Sequence, residues 1–286
     1  MIGKSFVLSL LGALVLGACA QATAPLTLTH PFGPNSTVRI DPYSQTGLYD
    51  WVVENTDQVA QDWYWYRIGS AGTAQSIDAI GNVTINQEAS SLATVTFDGA
   101  AFSLSVQYSL YGGDWGSGTS DLSETVTVTN KTNGTLDFHL FEYSNHDLNG
   151  TAGNDTAWLE NSTHVDQRDG AFASNTSQVG VNLAPDRWEI STAPTLVNKL
   201  NNVAFGDLSN SVTPLTGDVS YALQWNLPIA AGGSLQISKD RLVRGARPPE
   251  VPEPSGLPVV LSTLGCFVMM RRRSKPARSG GQRGGM

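Results

Sequence analysis

Apolar and polar residues alternate with a period of two over most of this chain, and Gly, Asn, Asp and Pro clusters separate the alternating runs. Such runs predict β-strands, because successive side chains of an extended backbone point to opposite faces. They cover Tyr49 to Glu54, Trp63 to Ile68, Val83 to Asn86, Leu92 to Phe97, Phe102 to Leu110, Glu124 to Thr129, Leu136 to Tyr143, Ser220 to Leu227 and Ser234 to Leu242. Asp98-Gly99 between two apolar runs is a hairpin signal, and Ala231-Gly-Gly233 precedes the last strand. One segment has a helical period. From Pro194 to Ala204, Leu196, Val197, Leu200, Val203 and Ala204 fall on one face, with Ser191 and Thr192 as caps and Gly206 as a stop. No internal repeat of solenoid or propeller length is present. The pattern predicts an all-β fold, an antiparallel β-sandwich with one short helix.

Both ends break the alternation with continuous apolar runs. At the N-terminus, Lys4 precedes the apolar stretch Phe6 to Leu16, and the small residues Ala18 and Ala20 follow. That is the layout of a secretory signal peptide. Ala18-Cys19-Ala20 ahead of Gln21 suits signal peptidase, whereas Leu16-Gly-Ala-Cys19 resembles a lipobox that would leave Cys19 lipidated. Cleavage after Ala20 is favoured, since an anchor at the other end makes a lipid redundant. That other end reads Val251-Pro252-Glu253-Pro254-Ser255, then apolar residues from Leu257 to Met270, then Arg271, Arg272 and Arg273. An apolar segment closed by arginines predicts a hydrophobic anchor helix with its charges at the cytoplasmic face.

The acidic Pro-Glu-Pro motif, the apolar run and the arginine cluster, in that order, resemble the PEP-CTERM sorting tail of Gram-negative bacteria. The resemblance is confined to the stretch from Val251 to Arg273. It implies an exported protein held briefly in the inner membrane until exosortase, a membrane cysteine protease, processes it near Pro-Glu-Pro. The product then reaches the cell surface or extracellular matrix. Two departures stand out. The apolar run is shorter than the roughly 20 residues that span a bilayer, which suits temporary holding, and the chain continues to Met286. The predicted organisation is a signal peptide at 1–20, an extracytoplasmic domain at 21–246 and a Pro-rich linker at 247–255. An anchor with its Arg cluster follows at 256–273, then a basic disordered tail at 274–286.

Composition narrows the partners. Both cysteines, Cys19 and Cys266, sit in the targeting segments, so no disulfide staples the domain, which must hold itself together by burial. The net charge of −8 understates the acidity of the domain, because Lys4, Arg271 to Arg273, Lys275, Arg278 and Arg283 all lie in the ends. An acidic surface repels phosphate backbones, which excludes nucleic acid as a partner. The local basic cluster Lys239, Arg241, Arg244 and Arg247 reads as a polar strand end running into the linker; its functional alternative is contact with an acidic polymer.

Three features of the domain are candidates for chemistry. In Asp62-Trp-Tyr-Trp-Tyr-Arg67 the alternation puts Trp63, Trp65 and Arg67 on one face and Tyr64, Tyr66 and Ile68 on the other. One aromatic face fills the core; the other, with Trp63 and Trp65, offers a flat carbohydrate-binding platform as the alternative to core packing. The loop from Asn145 to Asp155 carries Asp147, Asn149 and Asp155 as candidate calcium ligands, although the spacing is not that of an EF-hand and ordinary turn chemistry explains the same residues. His139, Glu142, His146, His164 and Asp166 match neither zinc-protease spacing and are expected to be surface or half-buried polar residues. There is no G-x-S-x-G elbow, Walker loop or domain cysteine, so no catalytic residue is assigned. The threonines Thr125, Thr127 and Thr129 read as the solvated face of a strand. The expected function is that of a non-catalytic surface or matrix protein associated with exopolysaccharide. The alternatives are a secreted carbohydrate-active enzyme and a calcium-stabilised carbohydrate-binding module.

Overall fold

The structure, a computed structural model, describes residues 24–31, 35–203 and 205–245. The segments expected to be a signal peptide, the sorting motif from Val251 to Ser255, Arg271 to Arg273 and the anchor lie outside the described residues. In chain order the strands are β1 (Leu26–Thr29), β2 (Ser36–Asp41), β3 (Gly47–Val53), β4 (Thr56–Asp57), β5 (Gln61–Ile68), β6 (Gln75–Ser76), β7 (Asn82–Ala89), β8 (Leu92–Asp98) and β9 (Phe102–Gly112). They continue as β10 (Ser120–Asn130), β11 (Leu136–Asn145), β12 (Asp155–Asn161), β13 (His164–Asp169), β14 (Thr176–Val181) and β15 (Arg187–Thr192). The helix α1 (Ala193–Leu200) precedes β16 (Leu215–Gly217), β17 (Val219–Ile229) and β18 (Ser234–Arg244).

Two sheets form from these strands. The first runs β1-β2-β3-β5-β11-β17-β15, with β4 beside β3 and β6 beside β5; the second runs β16-β12-β13-β14-β18-β10-β9-β8-β7. Pairing is antiparallel except for a short β3–β5 contact. The expected antiparallel sandwich forms, and every strand predicted by alternation is present. The register shows why it holds. In β10 every second residue, from Ser120 through Leu122, Glu124, Val126 and Val128 to Asn130, is buried, while its neighbours are partly exposed. A one-residue slip would turn that whole set to solvent.

The first sheet is covered on both faces at its centre. Residues Phe138 to Asn145 of β11 and Val219 to Trp225 of β17 are all buried. Helix α1 lies over this sheet, with Leu196 and Leu200 fully buried. It is shorter than predicted: the chain leaves the helix at Asn201, and Val203 is 79% exposed instead of joining the apolar face. Ala204 is outside the described residues.

Candidate functional site

The second sheet turns one face inward and the other to solvent. On its outer face β10, β18, β14 and β13 floor a groove of about 740 Å³. The register fixes what lines it. One row crosses the strands through Trp158, Asp166, Gln178, Leu242 and Asp121 to Tyr111; Asp166, Gln178 and Leu242 line the groove, and the others continue the row past its edges. The adjacent row holds His164, Gly180, Asp240 and Ser123. Gly180 matters for shape: a Cβ there would lie 3.2 Å from His164 Nε2, so the missing side chain leaves room for the imidazole.

Asp121 and Asp240 meet diagonally across the β10–β18 pair. Burial first, then the charge of Asp240 and a side-chain hydrogen bond to it, push Asp121 up to about 7. Two carboxyls in hydrogen-bond contact share one proton, since both cannot ionise cheaply at that range. Ser123 Oγ donates to Asp240 Oδ1 at 2.7 Å, which fixes one carboxyl of the pair. Across the groove, burial raises Asp166, opposed by a hydrogen bond from Gln178. Trp158 borders the same face, its indole N–H donating to Glu160 Oε2 at 3.0 Å and the Arg168 guanidinium 5.9 Å from its ring. The groove therefore offers hydroxyl, amide, imidazole and carboxyl groups, with the raised carboxyl of Asp121 at its edge.

The inner face of the same two strands carries a different set of charges. Lys239 and Arg241 of β18 point between the sheets and meet Glu124 of β10, Asp62 of β5 and Glu142 of β11, all of them buried. Lys239 Nζ lies 2.7 Å from Glu142, 3.3 Å from Glu124 and 3.8 Å from Asp62. Arg241 contacts Asp62, Glu142 at 2.9 Å and Glu124 at 3.4 Å. Tyr64 donates to Glu124 Oε2 at 2.6 Å and sits 4.9 Å from the Lys239 ammonium. Burial pushes Glu142 up, the charge of Lys239 opposes it, and that of Asp62 adds to the rise. Three carboxylates face two cations here, which is consistent with one carboxyl remaining protonated. No solvent reaches this cluster, so it ties the two sheets together and has no surface to offer a ligand.

These positions correct several expectations. Trp63 and Trp65 are 1% and 0% exposed, so neither offers a platform to a sugar. The Trp63 indole donates to Ser76 Oγ and the Trp65 indole to Asn201 Oδ1, because β6 and the end of α1 cover that face of β5. Tyr64 and Tyr66 turn toward the second sheet, where they meet Glu124 and Phe102. Lys239 and Arg241 do not form a basic surface, since strand alternation directs both inward. Glu142 and His146 are fully buried, not surface groups. His146 bonds Ser177 and the Gln58 carbonyl, and burial first, then the charge of Arg241, pushes it down to about 3.

The proposed calcium loop is organised by amide donors. Asp155 Oδ2 accepts from the Leu148 N–H and from Gln167, while Asn149 turns its amide nitrogen to Asp169. Asn149 adopts φ 58°, the left-handed turn conformation that asparagine tolerates. Burial raises Asp147 to about 6 and Asp155 to about 7. Among the described residues no group of three or more His, Cys, Asp or Glu is arranged to hold a metal, and the hydrogen bonds of Asn149 and Asp155 are those of the ordinary turn chemistry that the sequence offered beside calcium.

No known family profile matches this sequence, and no curated protein matches it either. Solved structures do. A bacterial glucoamylase complexed with acarbose aligns with a TM-score of 0.56 at 5% identity, over 77% of this chain and 32% of that one. This chain thus spans about a third of that protein's length. An aldose 1-epimerase candidate from Escherichia coli aligns at 0.49 and 10% identity, over 77% of this chain and 98% of that one. A galactose mutarotase-like protein from Lactobacillus casei aligns at 0.42 and 11%, over 77% and 100%. At such identities the likeness to the glucoamylase is one of fold: a two-sheet antiparallel sandwich.

Proposed function

We propose that this chain is an exported carbohydrate-active protein that binds a glycan in the groove of the second sheet and transfers a proton to or from it through Asp121 and Asp240. The carboxyl pair carries this reading. An acid held near pH 7 at the edge of an open, hydroxyl-rich groove, in contact with Asp240 inside it, suits general acid–base chemistry at a sugar oxygen. A sandwich fold shared with a glucoamylase solved with acarbose supports the ligand class. The tail from Val251 to Arg273 supplies the address: export past signal peptidase, brief tethering in the inner membrane, release by exosortase, and contact with exopolysaccharide at the surface or in the matrix. The Pro-Glu-Pro resemblance by itself favours a non-catalytic matrix protein, which would retain polysaccharide without changing it.

Turnover separates the two. Incubating the purified full chain with neutral oligosaccharides and following product by NMR should show conversion that Asp121→Asn and Asp240→Asn each abolish. Binding without conversion would favour the matrix protein; conversion untouched by both substitutions would remove the carboxyl pair from the mechanism. For the address, replacing Pro252, Glu253 and Pro254 by alanine should leave full-length protein in the membrane fraction, and normal processing would contradict it.

A further inference from the structure

The hairpin between β9 and β10 is built in an unusual way for a loop tip. Its residues 113–119 read Gly-Asp-Trp-Gly-Ser-Gly-Thr, and Trp115 is 55% exposed while Tyr111 beside it is 58% exposed. Loop tips are normally polar and loosely held. This one is stapled to the first sheet by two buried side chains. Glu54, fully buried just after β3, accepts the N–H groups of Gly116 at 2.8 Å and Gly118 at 3.2 Å. Asn35, equally buried, donates to Thr119 O at 3.0 Å and Ser117 Oγ at 3.2 Å. Glu54 itself stands at φ 53°, an uncommon conformation for a non-glycine residue. A buried carboxylate and a strained backbone are both costly, and such costs concentrate where a shape has to be fixed in advance.

What the staple fixes is the loop backbone on either side of an exposed indole. Holding it ahead of binding lowers the ordering cost of any ligand that stacks on it. Two observations narrow the ligand. Tyr111, whose ring lies 6.2 Å from that of His30, is in register with Asp121, so this hairpin extends past the groove's edge the row that crosses it. Asp114, exposed next to Trp115, opposes insertion into a membrane of anionic lipids. We propose that Trp115, with Tyr111, is a stacking subsite for a sugar ring at the hairpin end of the groove, preset by Glu54 and Asn35. This rests on the glycan-binding function proposed above.

The test is oligosaccharide binding by the full chain, followed by calorimetry and by tryptophan emission. Trp115→Ala should weaken affinity about tenfold with the melting temperature unchanged, and the emission of the unsubstituted protein should shift to the blue with sugar by an amount that Trp115→Ala removes. Glu54→Ala should lose affinity as the loop loosens, and Glu54→Gln, which keeps the acceptor oxygen, should restore most of it. If Trp115→Ala binds as tightly as the parent while Asp240→Asn does not, the subsite is wrong and the groove stands. If no oligosaccharide binds the parent, the groove and the subsite both fall. An emission shift with phosphatidylcholine vesicles and none with sugar would make Trp115 a membrane contact and overturn the subsite.

Discussion

Strands β10 and β18 carry charges on both faces, and the two faces treat them in opposite ways. Inside, Glu124, Lys239 and Arg241 are sealed between the sheets with Asp62 and Glu142, and each carboxylate is within ion-pair distance of a cation. Outside, Asp121, Ser123 and Asp240 face away from the core, the last two into an open groove, and two carboxyls meet each other at its edge. Alternation alone separates them. A buried ion cluster is no stronger than a well-packed apolar core, but removing one member strands the others without solvation. The outer carboxyls are solvated enough to lose a partner cheaply and close enough to exchange a proton. Structure is therefore expected to depend on one face and chemistry on the other.

The sharpest way to break this contrast is Arg241→Leu, which leaves three buried carboxylates with Lys239 alone. A loss of about 3–5 kcal/mol is expected by urea denaturation. A cost under 1 kcal/mol would mean the inner cluster does not hold the sheets together. The pH dependence comes next. Asp121 and Asp155 at about 7 and Asp147 at about 6 all lie above their unfolded values, so the stability they contribute is fully present below about pH 4 and is lost between there and about pH 7. His146, pushed down to about 3, works the other way, because the unfolded imidazole takes a proton below about 6.5 and the buried one does not. With three raised carboxyls against one lowered imidazole, scanning calorimetry should therefore find the melting temperature falling from about pH 5 to about pH 7 and levelling above it; a temperature that rises across that interval would contradict the raised carboxyls.

Two smaller effects sharpen the comparison. Glu142→Gln places a neutral amide where the cluster is expected to hold a protonated carboxyl, and should cost no more than about 1 kcal/mol. A loss as large as that of Arg241→Leu would show all three carboxyls ionised. Asp240→Asn, on the outer face, should change stability by less than about 0.5 kcal/mol, measured by the same denaturation.

Alternation in the sequence revealed the long strands and the sandwich, since those strands have one face in the core and one in solvent. It missed β1 and β2 at the start of the domain, and β12 to β16, whose runs are short and mix Thr, Asn, Ser and Gly with few apolar residues; the inward positions of these later strands include Asp155, Gln167 and Asp169, polar groups that leave no hydrophobic period to detect. Trp63 and Trp65 were ambiguous for a related reason. Four aromatics in succession leave no polar face at all, the mark of a strand covered on both sides, and what covers the second side comes from β6, the next strand, and from the end of α1, distant in sequence. The groove was the least legible part. Asp121 and Asp240 are 119 residues apart, and only the β10–β18 register brings them together.

The most direct test of the account is calorimetric titration of the purified full chain with a panel of neutral oligosaccharides, run beside Asp240→Asn and with melting temperatures recorded for both. The account predicts saturable binding by the parent that Asp240→Asn weakens at least about tenfold, the factor that about 1.4 kcal/mol represents, while the melting temperature stays the same. Equal binding by the two proteins, or no binding by either, would contradict it.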